Sequence, residues 1–131
     1  MRRRGNRASQ YLERTEPFAD LVYGGQGCPQ REWDSKRRGT VFLIPVKNQG
    51  AAWAVGSLTP LTIVGKGSAV EKTPRIATGR TVVVEFFLQA PPIEGDFAYE
   101  VIVNADGSVL ESNYTNNVVR ESCAASSSVI V

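Results

Sequence analysis

Alternation with a period of two residues constrains this chain more than any other feature. Between Arg80 and Leu88, Val82, Val84, Phe86 and Leu88 share one side, and Val83, Glu85 and Phe87 share the other. Successive side chains of an extended strand point to opposite faces, so this spacing predicts a β-strand with two chemically distinct faces. The pattern recurs over Thr40 to Asn48, where Phe42, Ile44 and Val46 alternate with Val41 and Leu43. It recurs again from Phe97 to Asn104, which aligns Phe97, Tyr99, Val101 and Val103. Shorter candidates are Ala19 to Tyr23, Leu61 to Val64, Val118 to Cys123 and Val129 to Val131. No stretch of ten or more residues keeps a helical period.

Turn chemistry separates these runs: Asn48-Gln49-Gly50, Gly65-Lys66-Gly67, Pro91-Pro92 and Asp106-Gly107. Pro45 has no N–H to give a ladder, which predicts interrupted pairing or a sheet edge at that point. Gly24 to Arg38 is rich in Gly and charge and reads as a loop anchored by Trp33. Residues 68–79 read as an irregular connection with a short strand near Val70. Several short strands at regular spacing predict an all-β sandwich or barrel. The 131 residues suit one such domain, with no internal repeat. Residues 1–17 are polar, basic and aperiodic and form an extended N-terminal arm; residues 18–131 form the sandwich.

Net charge is only +2, yet its distribution is uneven. Arg2, Arg3, Arg4 and Arg7 precede the first acidic residue, Glu13, and Lys36, Arg37 and Arg38 make a second cluster. A basic arm neutralises phosphates or an acidic protein surface; the alternative is a solvated chain end. The strands themselves are poor in Lys and Arg, so no specific nucleic-acid reading is expected. No run of about 18 apolar residues exists to span a membrane. No apolar stretch follows the arginines, so the N-terminus does not read as a secretory signal.

The sequence contains no histidine and no Cys-x-x-Cys spacing, which removes the usual zinc sets and most His-based catalysis. There is no phosphate-binding Gly-rich motif and no nucleophile elbow. No catalytic residue, cofactor or metal is therefore expected. Cys28 follows the first candidate strand and Cys123 lies in the last, and such strands are often neighbours in a sandwich. The pair is a candidate disulfide; a reducing site of synthesis, implied by the missing leader, argues for two free thiols instead.

Two stretches carry a resemblance. One is Val46-Lys47-Asn48-Gln49-Gly50. The other runs from Gly95 through Tyr99-Glu100-Val101-Ile102-Val103 to Glu111-Ser112-Asn113-Tyr114-Thr115-Asn116-Asn117. Together they resemble the CARDB family, named for a cell-adhesion-related domain in bacteria, over about residues 19–131. Its members tend to carry Val-x-Asn-x-Gly, then a strand ending in Val-Asp, then Glu-Ser-Asn-Glu-x-Asn-Asn. The resemblance implies an immunoglobulin-like β-sandwich of about seven antiparallel strands, usually one module of a surface or secreted protein. This chain departs from the pattern at Asn104, in place of the acidic residue, and at Tyr114, in place of the second Glu.

Asparagine tolerates left-handed backbone angles, and its amide bonds nearby backbone groups. Asn113, Asn116 and Asn117 are therefore expected to tie down an irregular connection. A calcium site on Asp106, Glu111 and Asn113 is the competing reading, with few carboxylates for that ion. Asn113-Tyr114-Thr115 also fits a glycosylation acceptor on a secretory route.

With Phe42, Ile44 and Val46 inward, the residues Val41, Leu43, Val83 and Phe87 point outward. In an immunoglobulin-like sheet their strands are neighbours, which predicts an apolar partner-binding face; the arm, through Tyr11, Leu12 and Phe18, is the alternative cover. The expected function is a non-catalytic structural or binding subunit of a larger assembly. The leading reading is a phage-type virion accessory protein, made in the host cytoplasm and docked on capsid or tail proteins, with homo-oligomerisation open. The alternative is a bacterial cell-surface or extracellular adhesion module.

Overall fold

The computed structural model describes residues 17–89 and 91–124. Eight strands make two sheets: β1 Leu21–Tyr23, β2 Gln30–Asp34, β3 Gly39–Asn48, β4 Ser57–Ile63, β5 Gly67–Thr73, β6 Thr81–Leu88, β7 Phe97–Ile102 and β8 Val118–Cys123. In the first sheet β3 is central. One edge of β3 pairs with β6; the other pairs with β1 along its C-terminal half and β2 along its N-terminal half. The second sheet runs β5-β4-β7-β8, and every ladder is antiparallel. β1 and β2 are consecutive halves of one broken strand, so the eight segments fill seven positions of an immunoglobulin-like sandwich.

The core follows the parity of the strands. Phe42, Ile44 and Val46 of β3 and Val84, Phe86 and Leu88 of β6 face Leu61, Ile63, Phe97, Tyr99 and Val101 of the second sheet. Removing such side chains from water stabilises the fold by about 1.5–3 kcal/mol each. Phe42 and Phe97 meet across the layers edge to face, 6.5 Å between ring centres.

Pro45 sits where β1 gives way to β2. Its carbonyl accepts the Gly24 N–H at 2.7 Å, so its nitrogen faces the same broken side. The missing donor therefore leaves no rung empty towards β6, and the expected interruption lies at this break. The excursion Gly24–Pro29 is tied down by the Cys28–Cys123 disulfide, which joins the first sheet's broken strand to β8 of the second. Tyr23 and Tyr99 both donate their hydroxyls to the Gly27 carbonyl at 3.1 Å.

Two expectations need correction. Residues 24–38 are not one loop: Gln30–Asp34 pairs with β3 as an edge strand. Its inward position is Arg31, whose guanidinium lies 4.7 Å from the centre of the Phe97 ring. Trp33 is 39% exposed and is not the core anchor. Residues 67–73 form a full strand, β5, rather than an irregular connection. It is an exposed edge strand with little apolar content, so alternation leaves no signal there.

Candidate functional site

Four segments converge at one end of the sandwich: the incoming chain before β1, the β3–β4 loop, the β5–β6 loop and the long β7–β8 connection. Both halves of the sequence motif lie here. Asn48 is the last inward position of β3 and is fully buried. Its Oδ1 accepts N–H groups of Asp20 at 3.1 Å and Gly50 at 3.0 Å, while its Nδ2 donates to the carbonyls of Ala52 at 2.8 Å and Ile76 at 3.0 Å. One side chain thus satisfies backbone groups of three segments, the role an amide with two donors and one acceptor oxygen suits. Gly50 is required by close approach, since a methyl group there would sit 2.5 Å from the Asp20 nitrogen.

Glu111 is the second hub, 6% exposed. Oε1 accepts the Leu21 N–H at 2.6 Å, and Oε2 accepts the side-chain amides of Asn104 and Asn117, both at 2.7 Å. Ala19 forms a parallel bridge with Glu111, and the Ser112 N–H reaches the Ala19 carbonyl at 3.0 Å. Asn104 holds a left-handed φ of 53° and also brackets Val109, accepting its N–H at 3.0 Å and donating to its carbonyl at 2.9 Å. Tyr114 accepts the Glu111 N–H at 3.0 Å.

The three loop asparagines have different tasks. Asn113 accepts the Thr115 N–H at 2.9 Å and its hydroxyl at 2.6 Å, a local turn. Asn116 donates to Asp20 at 3.0 Å, and Asn117 serves Glu111. The candidate calcium ligands of the competing reading are each engaged in hydrogen bonds within the protein. Asp106 accepts the Leu58 N–H at 3.2 Å and the Ser108 hydroxyl, which holds its carboxyl below the usual aspartate range. Glu111 is spent on N–H donors.

The other candidate surface is the outer face of the first sheet. Val41 lies opposite Phe87, Leu43 opposite Glu85, and Pro45 opposite Val83. The four predicted residues do share this face, but they are not a uniform patch. Val83 is 61% exposed, while Val41, Leu43 and Phe87 are half-buried, and Glu85 interrupts the row. Phe87 packs over Gly39, where a methyl group would collide with its ring, and carries the Arg37 guanidinium 4.4 Å from its centroid. Arg37 also pairs with Asp34 at 2.8 Å, which lowers the pKa of that carboxyl. Two concavities meet at Leu43. One of about 280 Å³ is lined by Tyr23, Pro29, Pro45 and Val83; one of about 510 Å³ is lined by Glu32, Trp33, Val41 and Glu85. Arg2, Arg3, Arg4, Arg7, Tyr11 and Leu12, and Val129–Val131, lie outside the described residues.

The buried Asn48 and Glu111 hubs join the two motif halves, and a CARDB family profile matches residues 20–121. The chain belongs to the CARDB family. It is accordingly a non-catalytic, protein-binding β-sandwich module. The CARDB domain of the PF1109 protein from Pyrococcus furiosus, crystallised in complex with di-metal ions, is similar in fold. It has a TM-score of 0.53 and 18% identity over 86% of this chain and 90% of that one. The solution structure of the same domain gives 0.53 and 20%, over 88% and 98%. No curated protein sequence matches.

The residues of this CARDB chain do not fit a comparable metal pair. Among the described residues no three His, Cys, Asp or Glu side chains gather to share an ion. Glu111 is instead balanced by three N–H donors, one of them from Asn104, where the family pattern carries an acid. Sequence reasoning missed Asn48 as a hub. Its signal was parity: an Asn on the inward side of Phe42, Ile44 and Val46.

Proposed function

We propose that this chain is an extracellular or cell-surface binding module that holds a protein partner on the outer face of its first sheet. The observation that carries this reading is the Cys28–Cys123 bond. Disulfides persist in oxidising compartments and are rare in the cytosol. The bond also speaks against the virion setting with capsid or tail partners, whose assembly occurs in reducing cytoplasm. Family membership supports an adhesion-type role over a phage one. The docking face is Val41, Leu43, Val83 and Phe87, whose concave relief gives a partner side chain somewhere to enter. The arginines of the arm, Arg2, Arg3, Arg4 and Arg7, supply an electrostatic contribution to the same partner or to an acidic neighbour.

The test is made on cells that produce the natural protein. Thiols are blocked at lysis, and intact cells are treated with a membrane-impermeant lysine reagent. The expected result is a protein with no free thiol, labelled or shed to the medium. A reduced, unlabelled protein inside the cell overturns the reading.

A further inference from the structure

The disulfide has a consequence for force as well as for stability. Its two cysteines are separated by 95 positions in sequence, with every strand from β2 to β7 and most of β8 inside the closed loop. Only the strap before Cys28 and the chain after Cys123 lie outside. Tension applied between the two ends of the chain therefore runs along the strap, crosses the Cys28–Cys123 bond and leaves through Ala124. It never has to pass through the backbone of β2 to β7.

We infer that this module is a tension-bearing link whose fold is bypassed by its own covalent bridge. The strap is built to hold under the same load. The β1 strand enters beside Asn48 and runs towards Val46, and β2 resumes on the same edge of β3 at Leu43, so the intervening anchor, Cys28, lies further along the direction of β1. Pulling therefore shears β1 along β3 and loads all its bonds together instead of peeling them one at a time. Leu21 is fully buried, and its N–H is held by Glu111 at 2.6 Å. The same strap is fixed by Ala51 N–H to Phe18 at 2.8 Å, Gln49 N–H to Asp20 at 2.9 Å and Gly24 N–H to Pro45 at 2.7 Å. The inference needs the extracellular setting only in that the bond must survive where the protein works.

The test is single-molecule force spectroscopy on the full chain, held by handles at both ends, with and without reductant. Residues outside the described span add the same slack to both measurements. In the oxidised protein, residues 17–27 release at most about 40 Å of chain. Reduction frees the 95-position loop, and a new unfolding step of about 330 Å of chain appears. The double variant Cys28→Ser/Cys123→Ser should show the long step regardless of reductant. A wild-type control by thiol counting confirms that the oxidised sample carries the bond. A long step in wild-type protein with no free thiols overturns the inference, and so does the absence of any long step after complete reduction. Discovery of a reduced protein in cells would remove the extracellular setting and leave this oxidised-state result standing, so the two failures are distinguishable.

Discussion

Glu111 provides the sharpest test of how this end of the sandwich is held. Replacing it by Ala removes the acceptor for the Leu21 N–H, the Asn104 amide and the Asn117 amide. Hydrogen bonds to a charged acceptor contribute about 1.5–3 kcal/mol each, and a buried donor left without one costs about 1–3 kcal/mol. Those gains are offset by the cost of burying the carboxylate itself. Weighing the two, Glu111→Ala leaves three neutral donors without an acceptor while relieving the burial of the carboxylate, and should lose about 2–5 kcal/mol. Domains of this kind are stable by about 5–15 kcal/mol, so the variant sits near the edge of folding. Glu111→Gln is the discriminating change because it keeps the shape. Turned one way, its NH₂ faces the Leu21 N–H; turned the other, it faces the Asn104 amide, which cannot flip without losing both bonds to Val109. Asn117 has more freedom, since its own Oδ1 has no partner and a flip would present it to the new NH₂. At least one donor–donor contact remains, for a loss of about 1–3 kcal/mol. Urea unfolding with a common slope measures both changes. A Glu111→Gln protein as stable as wild type would refute the network reasoning.

Three further outcomes follow from the same geometry. Asn48→Ala strands the N–H groups of Asp20 and Gly50 and the Ala52 carbonyl, while the Ile76 carbonyl keeps the Ala54 N–H, and should lose about 2–4 kcal/mol in urea unfolding, far more than an exposed Asn such as Asn113. Burial raises the pKa of Tyr23, helped by its neighbour Tyr99, and burial with Glu121 nearby raises that of Tyr99. Stability should be flat below the ordinary tyrosine pKa of about 10 and fall as pH rises above it, because the unfolded tyrosines ionise first; ultraviolet titration of Tyr23→Phe and Tyr99→Phe should each lose late-titrating signal. Val83→Lys should fold with wild-type stability to within about 0.5 kcal/mol yet weaken partner binding, whereas Val84→Lys, one residue away on the buried side, should not fold; equal effects would mean the register is wrong.

What the sequence disclosed depended on whether a strand's two faces differ. In β3, β6 and β7 one face meets the core and the other does not, so alternation placed Phe42, Val84 and Tyr99 inward and Val83 outward. In β2 the inward position is taken by Arg31, whose charged head lies over an aromatic ring, and the period disappears under polar residues. In β5 the residues from Gly67 to Lys72 are exposed apart from the half-buried Ala69, leaving too little contrast for a pattern to record. The Asn-rich stretch was legible as a structural device because its residue types are turn chemistry. Its hub was not legible, because Glu111 finds the Leu21 backbone across 90 residues, a pairing made by topology and not by local spacing. The cysteines were positioned by strand order; which redox state they adopt depends on compartment, which residue spacing does not encode.

The motif residues explain why family membership says so much about fold and so little about partner. Asn48, Gly50, Glu111 and Asn117 are turned towards one another and towards backbone, so their chemistry is used up inside the protein. An exchange at any of them is felt as stability. Asn104 illustrates the constraint. An acid at that position would set a second carboxylate against Glu111 Oε2, a like-charge contact that needs a proton or cation to relieve it. The amide replaces that repulsion by an N–H at 2.7 Å, and Tyr114 uses its hydroxyl to hold the Glu111 backbone. The two departures from the family pattern therefore act together, making this end of the sandwich self-sufficient. On the proposed function, recognition falls to side chains the hubs leave alone: Val83 on the sheet face, or Trp53 and Leu110 around the loops, all more than half exposed. These positions are free to vary without disturbing the hubs, which lets one scaffold serve different partners.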